Sequence, residues 1–381
     1  MLAVGLGLVA MTRAEEHGIT ARAIPAYEEF DLVSDVTNAA DHLDVRLVNP
    51  WGSVVQRNAV WVAANGTGLL LAFNAAGAPV GTAIHVPGAG GAGSVGAPTG
   101  LVLNRSQKFV VSSGGRSAPA TFLVATEDGT IAAWSEALAG ENAVTVADNS
   151  AAGAVYKGLA VAETRAGEPQ VYAADFHGGK IDVFGADFKP GASFTDKTVP
   201  AGYGPFNIQL IRGRLFVTFA KQAAPDLKDD EPGLGNGYVD IFDRDGTLVR
   251  RLISGGELDS PWGLALEAGG PGARPPALLV GNFGDGKINA FDLTSGAFLG
   301  QLKRPNGDDL IIDRLWGLVV ARGEAGGEEA DEGAGVAAPD HDPGDRDAAR
   351  LFFAAGIHDE AHGLFGFVRP IATLHPKAGD H

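Results

Sequence analysis

A short motif recurs six times along the chain, roughly every 50 residues. It combines a tight turn of the Asp-Gly, Asn-Gly or Gly-Gly type with a β-forming stretch that ends in Phe or Trp. The copies occupy residues 68–73, 128–134, 178–184, 236–242, 285–291 and 362–367. A strand-turn-strand repeat of this length is typical of β-propellers and hairpin arrays, and it disfavours a doubly wound α/β fold.

Two further strands accompany each copy of the motif. An apolar strand precedes it directly, and a three-residue signature such as Pro-Trp-Gly opens an inner strand further upstream. These signatures stand at residues 50–52, 98–100, 156–158, 205–207, 261–263 and 315–317. Segments such as 247–252 and 297–302 supply a fourth strand. The sequence therefore predicts an all-β fold, a six-bladed β-propeller with four-stranded blades.

The two ends of the repeat array indicate how the ring closes. The last repeat lacks an outer strand, whereas residues 29–35 form a strand that belongs to no blade. Closing a ring of blades removes the exposed sheet edges that an open stack would leave. We therefore expect the N-terminal strand to complete blade six and to close the ring.

The domain organisation follows from these boundaries. Residues 1–28 are interpreted as a signal-like or disordered N-terminus, residues 29–370 as the propeller, and residues 371–381 as a C-terminal tail. An acidic loop, residues 323–347, is inserted in blade six, and a second acidic segment, residues 222–234, interrupts blade four. Each acidic segment is either a solvated loop or a weak calcium site.

The N-terminal apolar run, residues 1–11, has the length of a signal-peptide core but no preceding Lys or Arg. It is too short for a membrane span, which needs about 20 residues. We expect a periplasmic or secreted protein without a membrane span, with a disordered tail as the alternative interpretation of this segment.

Charge and composition exclude several functions. The formal net charge of −17 argues against nucleic acid or an anionic membrane as a partner, because both would be repelled. The chain has no cysteine, so a thiolate metal site is impossible. Any metal ion would have to be held by nitrogen and oxygen ligands.

Candidate binding residues gather where the loops between second and third strands open beside the starts of the inner strands. Loops displayed on a rigid scaffold are where binding residues concentrate. The predicted ligand-binding residues are Asn49, Lys157, Asn207, Gln209, Lys221 and Asn282, and the candidate catalytic bases are Glu127, Asp175 and Glu360. Three tryptophans at equivalent positions, Trp51, Trp262 and Trp316, either pack between blades or form a stacking platform for a ligand.

Three histidines are not explained by turn chemistry. His177 stands where two other repeats carry Glu127 and Gly284, so the turn itself does not require a histidine. His358 and His362 stand on either side of two carboxylates in the last repeat. A cluster of His with Asp or Glu suits a divalent metal such as zinc, iron or copper. These histidines are therefore candidate metal ligands, or else surface and turn-stabilising residues.

Several segments together resemble a family of uncharacterised bacterial propellers, some of which carry a PEP-CTERM sorting signal. The matching segments are residues 47–52, 127–131, 155–158, 174–177, 205–209, 220–222, 260–263, 281–286 and 362–366. More distantly, the chain is similar to the NHL-repeat and SMP-30/gluconolactonase-like propellers. The resemblance implies an exported six-bladed protein and supplies no catalytic residues, and the C-terminal tail departs from the sorting signal.

Two functions are compatible with these features. The first is an extracytoplasmic propeller that binds a small molecule, a glycan or a protein at the face where the channel opens. The alternative is a metal-dependent hydrolase or lactonase of the SMP-30-like type, in which an ion at the central channel polarises a carbonyl group and activates water.

Overall fold

The computed structural model describes residues 24–91, 93–267, 276–321 and 349–371. Within these ranges the chain forms 26 strands and three single-turn 3₁₀ helices, Asn65–Thr67, Glu136–Leu138 and Ser150–Ala152. None of the helices in this part of the chain is long and apolar enough to cross a membrane. Three predictions lie outside the described residues: the signal-like segment up to residue 23, the acidic loop 323–347 and the tail beyond residue 371.

The strands of the first two blades follow the repeat. Strands β1 (Tyr27–Ser34) and β2 (His42–Leu43) precede blade one, which consists of β3 (Pro50–Gln56), β4 (Ala59–Ala64), β5 (Leu69–Phe73) and β6 (Ile84–His85). Blade two begins with β7 (Pro98–Leu103), is interrupted by a separate hairpin of β8 (Val110–Ser113) and β9 (Arg116–Pro119), and continues with β10 (Phe122–Thr126), β11 (Thr130–Trp134) and β12 (Val144–Asp148).

Blades three and four differ in their outer edge. Blade three consists of β13 (Tyr156–Glu163), β14 (Pro169–Asp175) and β15 (Lys180–Phe184), and blade four of β16 (Tyr203–Ile211), β17 (Arg214–Lys221), β18 (Gly237–Phe242) and β19 (Leu248–Ser254). The outer position of blade three holds only isolated bridges, Phe184 to Pro190 and Ile181 to Phe194. Pro190 has no N–H to donate, which limits regular pairing at this edge.

Blades five and six complete the ring. Blade five consists of β20 (Pro261–Glu267), β21 (Ala277–Asn282), β22 (Ile288–Asp292) and β23 (Phe298–Gln301). Blade six is built on β24 (Leu315–Ala321), β25 (Arg350–Ala355) and β26 (Leu364–Pro370). The six-bladed propeller predicted from the repeat is confirmed.

The N-terminal strand supplies the outer strand of blade six, as the sequence predicts. Strand β1 pairs antiparallel with β26, from Tyr27 opposite Pro370 to Ser34 opposite Leu364. Tyr27, Leu32 and Val33 become buried in this arrangement. The first and last parts of the chain therefore share one sheet, which has the order β2-β1-β26-β25-β24.

The inner strands form a closed circle around the axis. Each of β3, β7, β13, β16, β20 and β24 contacts the next, and β24 contacts β3. Gly317 follows Trp316, and a Cβ on it would meet the backbone carbonyl oxygen of Trp51 in blade one. Gly52 follows Trp51, and a Cβ on it would meet the backbone carbonyl oxygen of Thr99 in blade two. The glycines of the signature therefore allow adjacent inner strands to approach closely. We call the face at which these strands begin the upper face, and the face at which they end the lower face.

Candidate binding site at the propeller axis

Four aromatic side chains meet on the axis just inside the upper face. Trp51 and Trp316 stack with ring centroids 3.4 Å apart, and Trp262 meets both rings edge-on at 6.0 and 5.8 Å. Phe206 packs against Trp316 at 5.7 Å. These residues come from blades one, six, five and four, and all are buried. The channel is therefore closed by aromatic packing, which favours the packing interpretation of the tryptophans over a ligand-stacking platform.

The equivalent position in blade three carries a lysine. Lys157 is only 2 % exposed, and its Nζ lies 2.6 Å from Glu127 Oε1 and 3.4 Å from Asp229 Oδ1. The same Nζ lies 5.1 Å from the ring centroid of Trp51, a cation–π distance. Burial lowers the pKa of Lys157, but the charges of Glu127 and Asp229 outweigh it and raise the pKa above its ordinary value. The lysine is therefore a buried cation at neutral pH.

A chain of side-chain hydrogen bonds leads from this lysine around the axis. Asn65 Nδ2 donates to Glu127 Oε2 at 2.9 Å, and Asn49 Nδ2 donates to Glu360 Oε1 at 3.0 Å and to Asn65 Oδ1 at 3.4 Å. These contacts connect loops of blades six, one and two with Lys157 of blade three. Residues far apart in the sequence thus form one polar layer above the aromatic rings.

Two carboxyl groups in this layer are partly shielded from water. Burial raises the pKa of Glu360, and the hydrogen bond from Asn49 and the charge of Lys157 only partly oppose that rise. Burial also raises the pKa of Asp230, and the charge of Lys157 only partly opposes that rise. Neighbouring negative charges add to the rise at Glu360. We call the set Lys157, Glu127, Asp229, Asp230, Glu360, Asn49 and Asn65 the Lys157 cluster.

Charge in the Lys157 cluster is unbalanced. Four carboxyl groups lie around a single lysine, and the nearby Arg314 is paired with Asp359 at 2.7 Å. The cluster therefore has room, in electrostatic terms, for a further positive charge.

Four other predicted residues lie outside this cluster. Asp175 is buried and accepts backbone N–H groups of Val155 and Gly178 at 3.1 and 3.0 Å, so it stabilises its own turn. Asn207 donates to the Trp262 carbonyl oxygen at 2.8 Å and joins two blades. The remaining two are Lys221, which pairs with Glu231 at 2.6 Å, and Asn282, whose amide group donates to the Glu257 carbonyl oxygen at 2.8 Å.

Gln209 also lies away from the cluster, further along β16 toward the lower face, where it borders a cavity. Of the residues predicted from the sequence, Asn49, Glu127, Lys157 and Glu360 are brought together. Gln209 is separated from the Lys157 cluster because alternate residues of an inner strand point in different directions, and successive residues lie further from the upper face.

The three predicted metal ligands do not form one centre. His362 Nδ1 lies 2.8 Å from Asp35 Oδ2, beside the N-terminal strand, and the exposed His358 meets the His362 ring edge-on at 5.5 Å. His177 is half-buried in the loop after β14. Across the ranges that the structure describes, no group of three or more His, Cys, Asp or Glu residues is placed to hold a metal ion. A divalent metal thus stays a prediction, and these residues do not provide its ligand set.

Sequence reasoning missed two members of the cluster, Asp229 and Asp230. Both lie in the segment 222–234, which the sequence predicts to be a solvated loop or a weak calcium site. Its residues Gln222 and Asp230 form an isolated β-bridge that directs the loop inward. One signal was present in the sequence: Lys157 occupies the position that is aromatic in four of the other repeats, and a lysine there needs carboxylates nearby.

The chain is similar to proteins of Acanthamoeba polyphaga mimivirus. It is 31 % identical over 355 residues to uncharacterized protein R648, covering 91 % of this chain and 81 % of that one. It is 33 % identical over 308 residues to uncharacterized protein L690, covering 78 % of this chain and 79 % of that one. No family model matches the chain.

Solved β-propellers are similar in shape at low sequence identity. A calcium-binding protein, regucalcin, from Agrobacterium tumefaciens is 13 % identical, with 87 % of this chain and 94 % of that chain covered and a TM-score of 0.47. The six-bladed assignment rests on the strand pairing described above and not on this similarity.

Proposed function

The chain belongs to the same family as these two mimivirus proteins, and from that premise we propose that it is a binding protein whose ligand occupies the Lys157 cluster. The observation that carries the proposal is the continuous hydrogen-bond chain from Glu360 through Asn49 and Asn65 to Glu127 and Lys157. Such convergence of polar groups over an apolar floor is the usual composition of a ligand site.

We propose further that the ligand carries a protonated amine or guanidinium group. Carboxylates outnumber the cation in the cluster, and burial raises the pKa of both Asp230 and Glu360. A ligand cation placed among them would lower these pKa values and relieve the mutual repulsion. The protein's net charge of −17 adds long-range attraction for the same class of ligand.

An extracytoplasmic location completes the proposed function. It is supported by the apolar run at residues 1–11. The alternative of a metal-dependent hydrolase is less well supported, because Asp175 and the three histidines do not join Glu127 and Glu360 in one group. We therefore derive no catalytic step from this arrangement.

Agmatine, which carries both an amine and a guanidinium group, is a suitable probe. We expect saturable binding in isothermal titration calorimetry at low salt, weakening as salt is added because charges are screened. The substitution Asp229→Asn should weaken binding about 3- to 10-fold, the usual value of one charged contact near a surface. The neutral analogue N-butylurea should bind far more weakly.

Glu231→Gln is the matched control. It lies in the same loop and changes the net charge equally, but its carboxylate is paired with Lys221. Binding by this variant should equal that of the unmodified protein. Absence of agmatine binding, or equal weakening by Asp229→Asn and Glu231→Gln, would contradict the proposed function.

A further inference from the structure

The lower half of the central channel contains a cavity. Its volume is about 350 Å³, and all six inner strands contribute to its wall. Trp262 closes its upper end, so the cavity is a blind channel that opens on the lower face. The aromatic layer separates it from the Lys157 cluster.

Each blade contributes an aliphatic residue to the wall of this cavity. These residues are Val54, Val102, Val161, Leu210, Leu264 and Val319. A cavity of this size exceeds the roughly 150 Å³ of an engineered apolar cavity that binds benzene, and it lies within the range of about 300–1,000 Å³ of small-molecule pockets. Water gains few hydrogen bonds in such surroundings, so an apolar molecule would displace it at little cost.

Polar residues also line the cavity: Ser53, Asn207 and Gln209 lie within the inner strands, and Asn104, Arg105, Ser106 and Glu163 lie at or beyond the strand ends. Ser53 Oγ is buried and has no hydrogen-bond partner among the described residues. Gln209, half-buried on β16, also lines the cavity. The Asn207 amide group already donates a hydrogen bond to the Trp262 carbonyl oxygen of the neighbouring blade. A bound molecule could therefore satisfy Ser53 or Gln209 with one polar group while its remainder contacts aliphatic side chains.

We propose that this channel binds a compact, uncharged, mainly apolar molecule, about the size of a bicyclic hydrocarbon, that carries one hydrogen-bonding group. Charged ligands are disfavoured, because the two charged lining residues, Arg105 and Glu163, are exposed at the ends of the inner strands, and the residues deeper in the channel are uncharged. This site is independent of the proposed amine site on the upper face.

The fluorescent probe N-phenyl-1-naphthylamine tests the proposal, since its emission rises in apolar surroundings. We expect saturable binding with one probe per chain. Val319→Trp, which adds bulk inside the cavity, should weaken binding at least tenfold, and Val161→Trp provides a second variant from another blade if the first does not fold. Val249→Trp, at an exposed position on β19, is the matched control and should bind as the unmodified protein does.

Competition experiments test the polar part of the proposal. We expect 1-naphthol to displace the probe at lower concentration than 1-methylnaphthalene, and Gln209→Leu to reduce that difference. Asp229→Asn should leave probe binding unchanged, which separates this site from the amine site. Non-saturable uptake of the probe, or equal binding by Val319→Trp and Val249→Trp, would overturn the proposal.

Discussion

Replacement of Lys157 by methionine is expected to lower the free energy of unfolding by about 2–3 kcal/mol at pH 8. The substitution removes a buried cation but leaves Glu127, Asp230 and Glu360 in place, and uncompensated charges in partly buried positions are strongly destabilising. We take a value below the usual cost of breaking a buried pair, because Glu127 is partly exposed. Urea unfolding followed by circular dichroism measures the effect.

The free energy of unfolding that is lost in Lys157→Met should become smaller as the pH falls. A carboxyl group whose folded pKa is raised favours the folded state in its protonated form, so its penalty is relieved as the pH drops through that pKa. Asp230 and Glu360 have raised pKa values already, and removal of the lysine raises them further. The difference in stability between Lys157→Met and the unmodified protein should therefore be smaller at pH 5 than at pH 8.

Lys189→Met is the matched control for this prediction. Lys189 follows the last strand of blade three and pairs with Asp187 at 2.6 Å, and both side chains are exposed. Its replacement should leave the free energy of unfolding nearly unchanged. The double variant Lys157→Met/Glu127→Gln should recover part of the stability lost in Lys157→Met. Equal losses for Lys157→Met and Lys189→Met would mean that the first lysine is not buried among carboxylates.

Deletion of residues 1–36 is expected to prevent stable folding. The deletion removes β1, exposes the edge of β26 and removes the buried side chains of Tyr27, Leu32 and Val33. Burial of such side chains contributes about 1.5–3 kcal/mol each, so the total is comparable with the stability of a whole domain, about 5–15 kcal/mol. The truncated protein should be largely unfolded or aggregated in thermal unfolding and size-exclusion experiments.

The control for the deletion removes residues 1–23 only and leaves β1 in place. It should unfold at the temperature of the full chain. A synthetic peptide of residues 24–36, added to the longer deletion variant during refolding, should restore part of the folded population by strand addition. An undiminished unfolding temperature after deletion of residues 1–36 would contradict closure of the ring by β1.

The fold could be predicted from the sequence because each blade carries its own local signals. The Asp-Gly and Gly-Gly turns mark the hairpins. The glycine that ends the inner-strand signature in five of the six blades, with Asn207 in its place in blade four, marks the inner strands. Once the ring is closed, Asn49, Lys157, Glu127 and Glu360 must meet at the upper face. These residues were therefore accessible to sequence reasoning.

Other parts of the site depend on contacts that the repeat does not encode. Asp229 reaches Lys157 only because its loop turns inward through the bridge between Gln222 and Asp230. The position of His362 depends on Asp35 in the N-terminal strand. Closure of the channel depends on how aromatic rings from four blades interlock, and the identity of the residues alone does not specify that geometry.

Titration of Glu360 tests most directly whether these distant residues gather on the axis. The carboxyl carbon can be followed by ¹³C NMR and assigned by its loss in Glu360→Gln. We expect its pKa in the unmodified protein to lie above the ordinary value of 4.5, and to rise further in Lys157→Met. An ordinary pKa that does not respond to replacement of Lys157 would show that the two side chains, 203 positions apart in the sequence, do not meet.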